Sequence, residues 1–232
     1  MRLHRFIGDF DLSTEQLIVQ DADLASQLSH VLRLKEKDPV ILCDGKGQEA
    51  VAKISSLRKT SAAFRLEELR RVVAEPERVV TLYCSILKRE NFELVAQKAT
   101  EAGVRSIVPI HSKRTVKQDI NPIRISKIMR EAAEQSGRGR VPELFEPKDF
   151  SDAIDTAAST HGTVVFCDQS GIPLIGVKKS NKVALFIGPE GGWDPQEVDR
   201  ARGRGSMIVS LGSLILRAET AAIIAVYISV QI

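Results

Sequence analysis

Two short segments of this 232-residue chain combine residue types that could do chemistry. The first is Ile187-Gly188-Pro189-Glu190-Gly191-Gly192; the second is Leu211-Gly212-Ser213-Leu214-Ile215-Leu216-Arg217-Ala218-Glu219-Thr220. Three glycines within five residues strip a loop of side chains, so main-chain N–H and C=O groups can approach a bound molecule closely. A plain strand-to-helix turn would need one glycine and a proline, not this set. The second segment sets leucine and isoleucine between a strand and a helix, where exposure is costly unless something apolar covers them. An adenine ring or a methionine-like chain would serve. Arg217 and Glu219 stand two residues apart where the last helix begins, and the orphan N–H groups of a helix start favour an anion there. Read alone, Glu219 could equally compensate the helix dipole, and Arg217 could be a surface ion pair.

The elements that must position these loops are legible upstream of them. Val79 to Leu87 is a near-continuous apolar run, as a strand covered on both faces requires. Phe92, Val95, Ala96, Ala99 and Ala102 then mark one face of a helix that Gly103 ends, and Val104 to Ile110 is the next strand. Asn121-Pro122 opens a helix striped by Ile125, Ile128, Met129, Ala132 and Ala133. Strands follow over Thr163 to Cys167, Val183 to Ile187 and Ser206 to Leu211; Asp194 and Glu197 form a capping-box pair, and an apolar helix starts near Ala218. Alternating strands and helices predict an α/β fold, a parallel sheet with helices on both faces, and ligands gather at the carboxyl ends of such strands. The first seventy residues differ. Val40 to Cys43 and Glu49 to Ile54 flank Asp44-Gly45-Lys46-Gly47, a hairpin signal, and Ala62 to Leu66 reads as a further strand. One helix capped by Asp23 carries Leu24, Leu28, Val31 and Leu32. This pattern predicts a small β barrel or sandwich, joined to the rest by a charged linker over Arg70 to Arg78 that contains Pro76.

Composition excludes several classes. No apolar run approaches the roughly 18 residues of a membrane span. The start, Met1-Arg2-Leu3-His4-Arg5-Phe6-Ile7, lacks the apolar stretch of a secretion signal, and Cys43, Cys84 and Cys167 have no metal-type spacing. Reduced thiols, a cytoplasmic address and no metal are therefore expected. Neither G-x-G-x-x-G nor a P-loop sequence occurs, which disfavours the common NAD and ATP enzymes. The net charge is +3, but between Lys113 and Arg140 eight basic residues (Lys113, Arg114, Lys117, Arg124, Lys127, Arg130, Arg138, Arg140) stand against three acidic ones. Such a segment suits a phosphate backbone, although on charge alone it also reads as a solvated helix face.

With these residues on view, the chain resembles a known family almost end to end. His4-Arg5-Phe6, His30-Val31-Leu32-Arg33, Gln97-Lys98-Ala99-Thr100-Glu101-Ala102-Gly103-Val104, Glu131-Ala132-Ala133-Glu134-Gln135-Ser136-Gly137-Arg138, Val141-Pro142 and the two loops are similar to the family that methylates N-3 of a uridine in small-subunit (16S) ribosomal RNA, within the knotted SPOUT superfamily of RNA methyltransferases. Ala102 stands where that family more often has leucine, and Trp193 where it often has phenylalanine. The resemblance implies a PUA-like RNA-binding barrel over residues 1–72, an α/β domain with a deep trefoil knot over 73–232, and a homodimer without membrane attachment. No reading of periodicity would choose a knot. It further implies S-adenosylmethionine as cofactor, leaving as S-adenosylhomocysteine, held by Ile187, Gly188, Pro189, Glu190, Gly191 and Gly192 and by Leu211, Gly212, Leu214, Ile215 and Leu216, with a third contact near Phe166-Cys167-Asp168. Arg217 would stabilise charge on a uracil carbonyl oxygen, while Glu190 or Glu219 orients the base or takes its proton. Arg5, His30 and Arg33 on the barrel, with Arg114 and Arg138 on the basic segment, are the expected contacts of 16S RNA in the small ribosomal subunit. The competing expectations are another member of the superfamily acting on a different RNA nucleotide, a non-catalytic RNA-binding assembly protein, and a Rossmann-type nucleotide enzyme.

Overall fold

A computed structural model describes residues 3–72, 75–116, 119–175 and 180–231. Met1, Arg2, the linker residues Val73 and Ala74, and Lys117 of the basic segment lie outside them. The chain divides into two compact units, Met1–Glu75 with Ala133–Val141, and Pro76–Ala132 with Pro142–Ile232. Among the described residues no helix is long and apolar enough to cross a membrane, and no group of three His, Cys, Asp or Glu side chains is placed to hold a metal.

The first unit contains β1 (His4–Ile7), β2 (Gln16–Val19), α1 (Ala22–Ser26), a π-helical turn at Gln27–Val31, β3 (Pro39–Cys43), β4 (Gln48–Leu57) and β5 (Ala62–Arg71). They form one sheet in the order β1-β3-β4-β5-β2, parallel between β1 and β3 and antiparallel elsewhere. Phe6, Leu28, Leu42, Ile54 and Phe64 fill its core. The β3–β4 hairpin turns where the sequence predicts, because one Asp44 carboxylate oxygen accepts the N–H groups of Lys46, Gly47 and Gln48 at 2.7–3.0 Å. The helix cap differs from expectation. Asp21, whose backbone is extended, accepts from Asp23 N and Leu24 N, and Asp23 lies inside the first turn. The next turn widens to the i→i+5 pattern, with Leu32 N bonded to Gln27 O, so the α-helical spacing breaks and Val31 is exposed. β5 also runs on through Arg71, which shortens the expected linker.

The second unit contains β6 (Val79–Ser85), α2 (Arg89–Glu101), β7 (Ser106–His111), α3 (Pro122–Ser136, whose last turn counts with the first unit), β8 (Glu143–Leu144), β9 (Lys148–Asp149), α4 (Phe150–Thr160), β10 (Thr163–Pro173), β11 (Lys182–Ile187), α5 (Pro195–Gly203), β12 (Met207–Ser210) and α6 (Ala218–Gln231). Its sheet runs β12-β10-β11-β6-β7-β8, with β9 also on β7, and every pair is parallel. Asn121 caps α3 by accepting from Arg124 N, and Asp194 with Glu197 closes a capping box on α5. β8, β9 and α4 add to the expected elements. Two-residue strands carry no readable period, whereas Phe150, Ala153, Ile154 and Ala157 do bury a stripe of α4 at helical spacing. β10 exceeds its expected end and is bulged against β12 between Cys167 and Ile172. At Gly171 a β-carbon would lie 2.4 Å from Val209 N, so only glycine lets the two backbones pass.

A line of rings ties the strands together. Tyr83 stacks on Phe186 at 4.5 Å, Phe186 on Phe166 at 6.0 Å, and Phe166 meets Trp193 at 4.4 Å. At the amino-terminal edge His161 meets Tyr83 edge-on and bonds Thr81 Oγ1 at 3.1 Å, which in turn bonds Ser106 Oγ. Burial holds the His161 imidazole below its ordinary value; a backbone bond with Ala157 opposes this and the Lys182 charge adds to it. A histidine with a depressed folded pKa binds fewer protons when folded. Its contribution is complete above the unfolded value near about pH 6.5 and is lost as pH falls below it. Between about pH 7.5 and about pH 5 the urea midpoint of the wild type should therefore fall more steeply than that of His161→Gln. Parallel midpoint curves would show that the imidazole carries none of the dependence.

Candidate active site

The carboxyl ends of β11 and β12, the bulged middle of β10 and the loop after β6 line a cavity of about 680 Å³ in the second unit. This is where an open parallel sheet is expected to receive ligands. Ile187, Gly188, Pro189, Glu190, Gly191 and Gly192 all line it, and so do Leu211, Ile215 and Leu216. Three of the expected contacts do not. Phe166 is fully buried, with its ring packed against Trp193 and Phe186, so within β10 the wall is made by its neighbours Cys167 and Asp168, with Gln169. Gly212 and Leu214 are not part of the lining; Leu214 is 75% exposed, and its carbonyl accepts from Gln169 Nε2 at 3.2 Å. Ile215 lines the cavity while 89% exposed, an unfavourable state for so large an apolar side chain unless a ligand covers it.

The glycines of the first loop serve different ends. At Gly188 a β-carbon would lie 3.0 Å from the Trp193 indole. That indole cannot yield, because Phe150 and Phe166 flank it and its Nε1 donates to Cys167 O at 2.9 Å. Gly192 has φ +69, which other residues rarely adopt, whereas Gly191 has room for a side chain. Trp193 is thus a wall of the cavity that the sequence marked only as a substitution for phenylalanine. Burial, then the Asp168 charge, push the neighbouring Cys167 thiol up to about 12, so that thiol stays uncharged near neutral pH.

Arg217 and Glu219 line the mouth, with Lys88 and Asn91 from the start of α2. The two candidate acids differ. Exposed Glu190 accepts from Lys88 N at 3.2 Å and so fixes the loop after β6 to the glycine loop. Glu219 is 8% exposed as a residue and lines the cavity; its carboxylate makes no hydrogen bond or ion pair with the described residues, and its oxygens are not among the buried atoms left without a partner. A carboxylate that lines a cavity without a protein partner is free to accept from a group that a ligand brings.

The expected RNA contacts separate in the same way. His30 and Arg33 are exposed on and after the π-helical turn, Arg33 with an unusual φ of 55. Arg5 is not a surface contact, since its guanidinium is spent on the Glu49 carboxylate and Cys43 Sγ inside the first unit. Arg138 is corrected likewise: its side chain is 4% exposed and paired with Glu75 at 3.0 Å, which also accepts from Gly139 N, so it is no phosphate clamp. Arg114 is exposed but donates to Gly191 O at 2.9 Å. Elsewhere in the basic segment Arg124 pairs with Glu93 and Lys113 with Asp194; such exposed pairs are worth under about 1 kcal/mol and can exchange for a phosphate.

The glycine assignments can be checked by stability. Gly188→Ala presses a methyl group onto a ring that cannot move and should cost about 1–3 kcal/mol. Gly191→Ala meets only ordinary contacts, 3.6 Å at closest, and should stay within about 0.5 kcal/mol of the parent in urea unfolding. Equal losses at the two positions would contradict this packing account.

Comparison with known proteins agrees with the geometry. Residues 74–229 match the RNA methyltransferase domain family, and residues 28–67 match the RNA methyltransferase PUA domain family. The ribosomal RNA small subunit methyltransferase E of Synechocystis is 32% identical over 229 residues, covering 92% of this chain and 74% of its own length. That of Bacillus subtilis is 28% identical, with coverage of 84% and 82%. The crystal structure of a ribosomal RNA small subunit methyltransferase E from Neisseria gonorrhoeae, bound to S-adenosyl methionine, superposes with a TM-score of 0.90 at 29% identity, covering 97% of this chain and 95% of that one. On these matches the chain belongs to the ribosomal RNA small subunit methyltransferase E family.

Proposed function

We propose that this enzyme transfers a methyl group from S-adenosylmethionine to N-3 of a uridine in 16S ribosomal RNA of the small subunit, in the cytoplasm. The observation that carries this reading is the cavity itself: two unusual loops enclose one space, with exposed Ile215 on its wall and Arg217 and Glu219 at its mouth. Its volume lies within the range of about 300–1,000 Å³ usual for small-molecule sites. Its neutral wall of Trp193, Cys167, Val209, Leu211 and Leu216 suits an adenine ring and a thioether chain. Ile187 to Gly192 and Leu211 to Leu216 would hold the cofactor. S-adenosylmethionine, when bound, supplies a methyl group on a sulfonium sulfur, which one in-line displacement moves to nitrogen.

The protein has two tasks. It holds the uracil in line, and such positioning is worth about 7–11 kcal/mol. It must also help the imide lose its N-3 proton. In this reading Arg217 stabilises the charge that develops on a uracil carbonyl oxygen, and Glu219 takes the proton or orients the base. Glu190, engaged with Lys88 N, serves the loop. His30 and Arg33 bind RNA in the part played by residues 1–72, and 73–232 is the catalytic part, with the trefoil knot that the resemblance implies. α6 is apolar on all sides, yet Ile224 and Tyr227 are exposed on it, as is Leu94 on α2, which packs beside it. That favours burial of this face by a second copy, a homodimer.

Incubation with small ribosomal subunits and methyl-labelled cofactor, followed by nucleoside analysis, should yield 3-methyluridine. A different labelled nucleoside would mean another RNA methyltransferase; no label and no cofactor binding would mean an assembly protein. Arg217→Ala and Glu219→Gln should each lower kcat by about 10²-fold while S-adenosylhomocysteine still binds. Near-normal turnover at saturating cofactor would remove the residue concerned from the chemistry. Sedimentation of Tyr227→Glu should give a monomer where the parent gives a dimer; identical profiles would place the interface elsewhere.

A further inference from the structure

The segment Ser112–Thr115 after β7 carries two cations that the sequence offered to RNA, yet its polar groups turn toward the cofactor loop. Lys113 N donates to Glu197 Oε1 at 2.9 Å, and the other oxygen of this buried carboxylate accepts Asp194 N, completing the capping box of α5. Lys113 Nζ stands 3.2 Å from Asp194 Oδ2. Beneath them, Ser112 Oγ bonds Ser85 Oγ at 3.1 Å and Thr115 Oγ1 at 2.8 Å, which fastens the segment to the end of β6. From this anchored base Arg114 reaches across Gly191 and donates Nη1 to its carbonyl oxygen at 2.9 Å.

Gly191 has no side chain of its own to hold it, and a glycine-rich loop loses much freedom when it closes on a ligand. A charge-assisted bond from a fixed arginine supplies the missing restraint. Arg114 also lies in the field of Asp194, whose carboxyl is held below its ordinary value chiefly by the Gln196 N–H and further by Lys113 and Arg114. That neighbour makes the site less hospitable to a second anion. We propose that Arg114 is a positioning residue for the cofactor, presetting the Gly188–Gly192 loop through the Gly191 carbonyl, rather than a contact to RNA phosphate.

The inference rests on S-adenosylmethionine binding in this cavity, so the test begins with the full-length parent, without RNA, titrated calorimetrically with S-adenosylhomocysteine. No binding by the parent would defeat the functional reading itself. Given binding, Arg114→Gln should weaken it about tenfold, the scale of one lost charge-assisted hydrogen bond. Arg114→Lys, which keeps a cationic donor, should recover part of the loss. The melting temperature of both variants without ligand should match that of the parent, while the ligand-induced rise shrinks in Arg114→Gln. The slope of log affinity against log salt for a 16S RNA fragment should stay unchanged. Parental S-adenosylhomocysteine affinity in Arg114→Gln, with a salt slope reduced by about one, would overturn the proposal and return Arg114 to the RNA surface. A ligand-free melting temperature that falls in step with the affinity would also overturn it, in favour of a general structural role.

Discussion

The seat of the Trp193 indole is the constraint on which the active site depends. Its ring lies against Phe166 and Phe150, and its N–H is committed to Cys167 O, so one side chain binds α4, β10 and the loop after β11 at a single point. Phe166 rests in turn on Phe186, and Phe186 on Tyr83, which carries the contact across three neighbouring parallel strands. A loop with three glycines has little stiffness of its own. Here it inherits stiffness from an aromatic core that reaches to within one residue of it. The same indole explains why Gly188 must be glycine, and it supplies a flat wall for a flat ligand.

Within each unit, charges are sorted by burial rather than by sequence neighbourhood. Arg138 and Arg5 sit in stretches that look equipped for RNA, yet each is sunk beside a carboxylate, and breaking such a pair leaves a buried charge without its partner. Lys113 and Arg124 also have acidic partners, but in solvent, where exchange for a phosphate is nearly neutral. A count of basic residues along the chain cannot see this difference, because the partners Glu49, Glu75 and Glu93 lie between 31 and 63 residues away from the arginines they hold.

What could be read in the sequence follows the same physical line. The strands and helices of the second unit were legible because both faces of a parallel sheet are covered and the helix stripes are continuous: β6, β11, α3 and the capped α5 fall where periodicity and caps put them. β8 and β9 were not, since a pair of residues has no period. In the first unit the cap shifted from Asp23 to Asp21, and a π turn expelled Val31; both are local backbone choices that residue type alone does not decide. The cavity-lining residues of the two loops were legible by type, from glycine content and from apolar residues where polar ones are usual. Trp193, Lys88 and Asn91 were not, because their roles come from what folds against them. The cofactor and the methyl acceptor came from resemblance, which physical reasoning could reach only as far as an apolar, backbone-lined pocket.

The division between the two acids shows how much a partner decides. Glu190 and Glu219 both line the cavity, and by sequence each stands next to an unusual loop. Glu190 is exposed and already accepts a backbone N–H from the start of α2, so part of its capacity is used in joining two loops. Glu219 is buried, begins α6, and meets no donor among the described residues. Its oxygens are not among the buried atoms left without a partner, and its place near a helix start favours negative charge there. That leaves the Glu219 carboxylate able to accept from a ligand donor such as a uracil imide, whereas Glu190 is already shared with Lys88 N. In the proposed reaction this asymmetry favours Glu219, beside Arg217 at the entry to α6, for the reacting end of the cavity, and leaves the glycine loop to the cofactor.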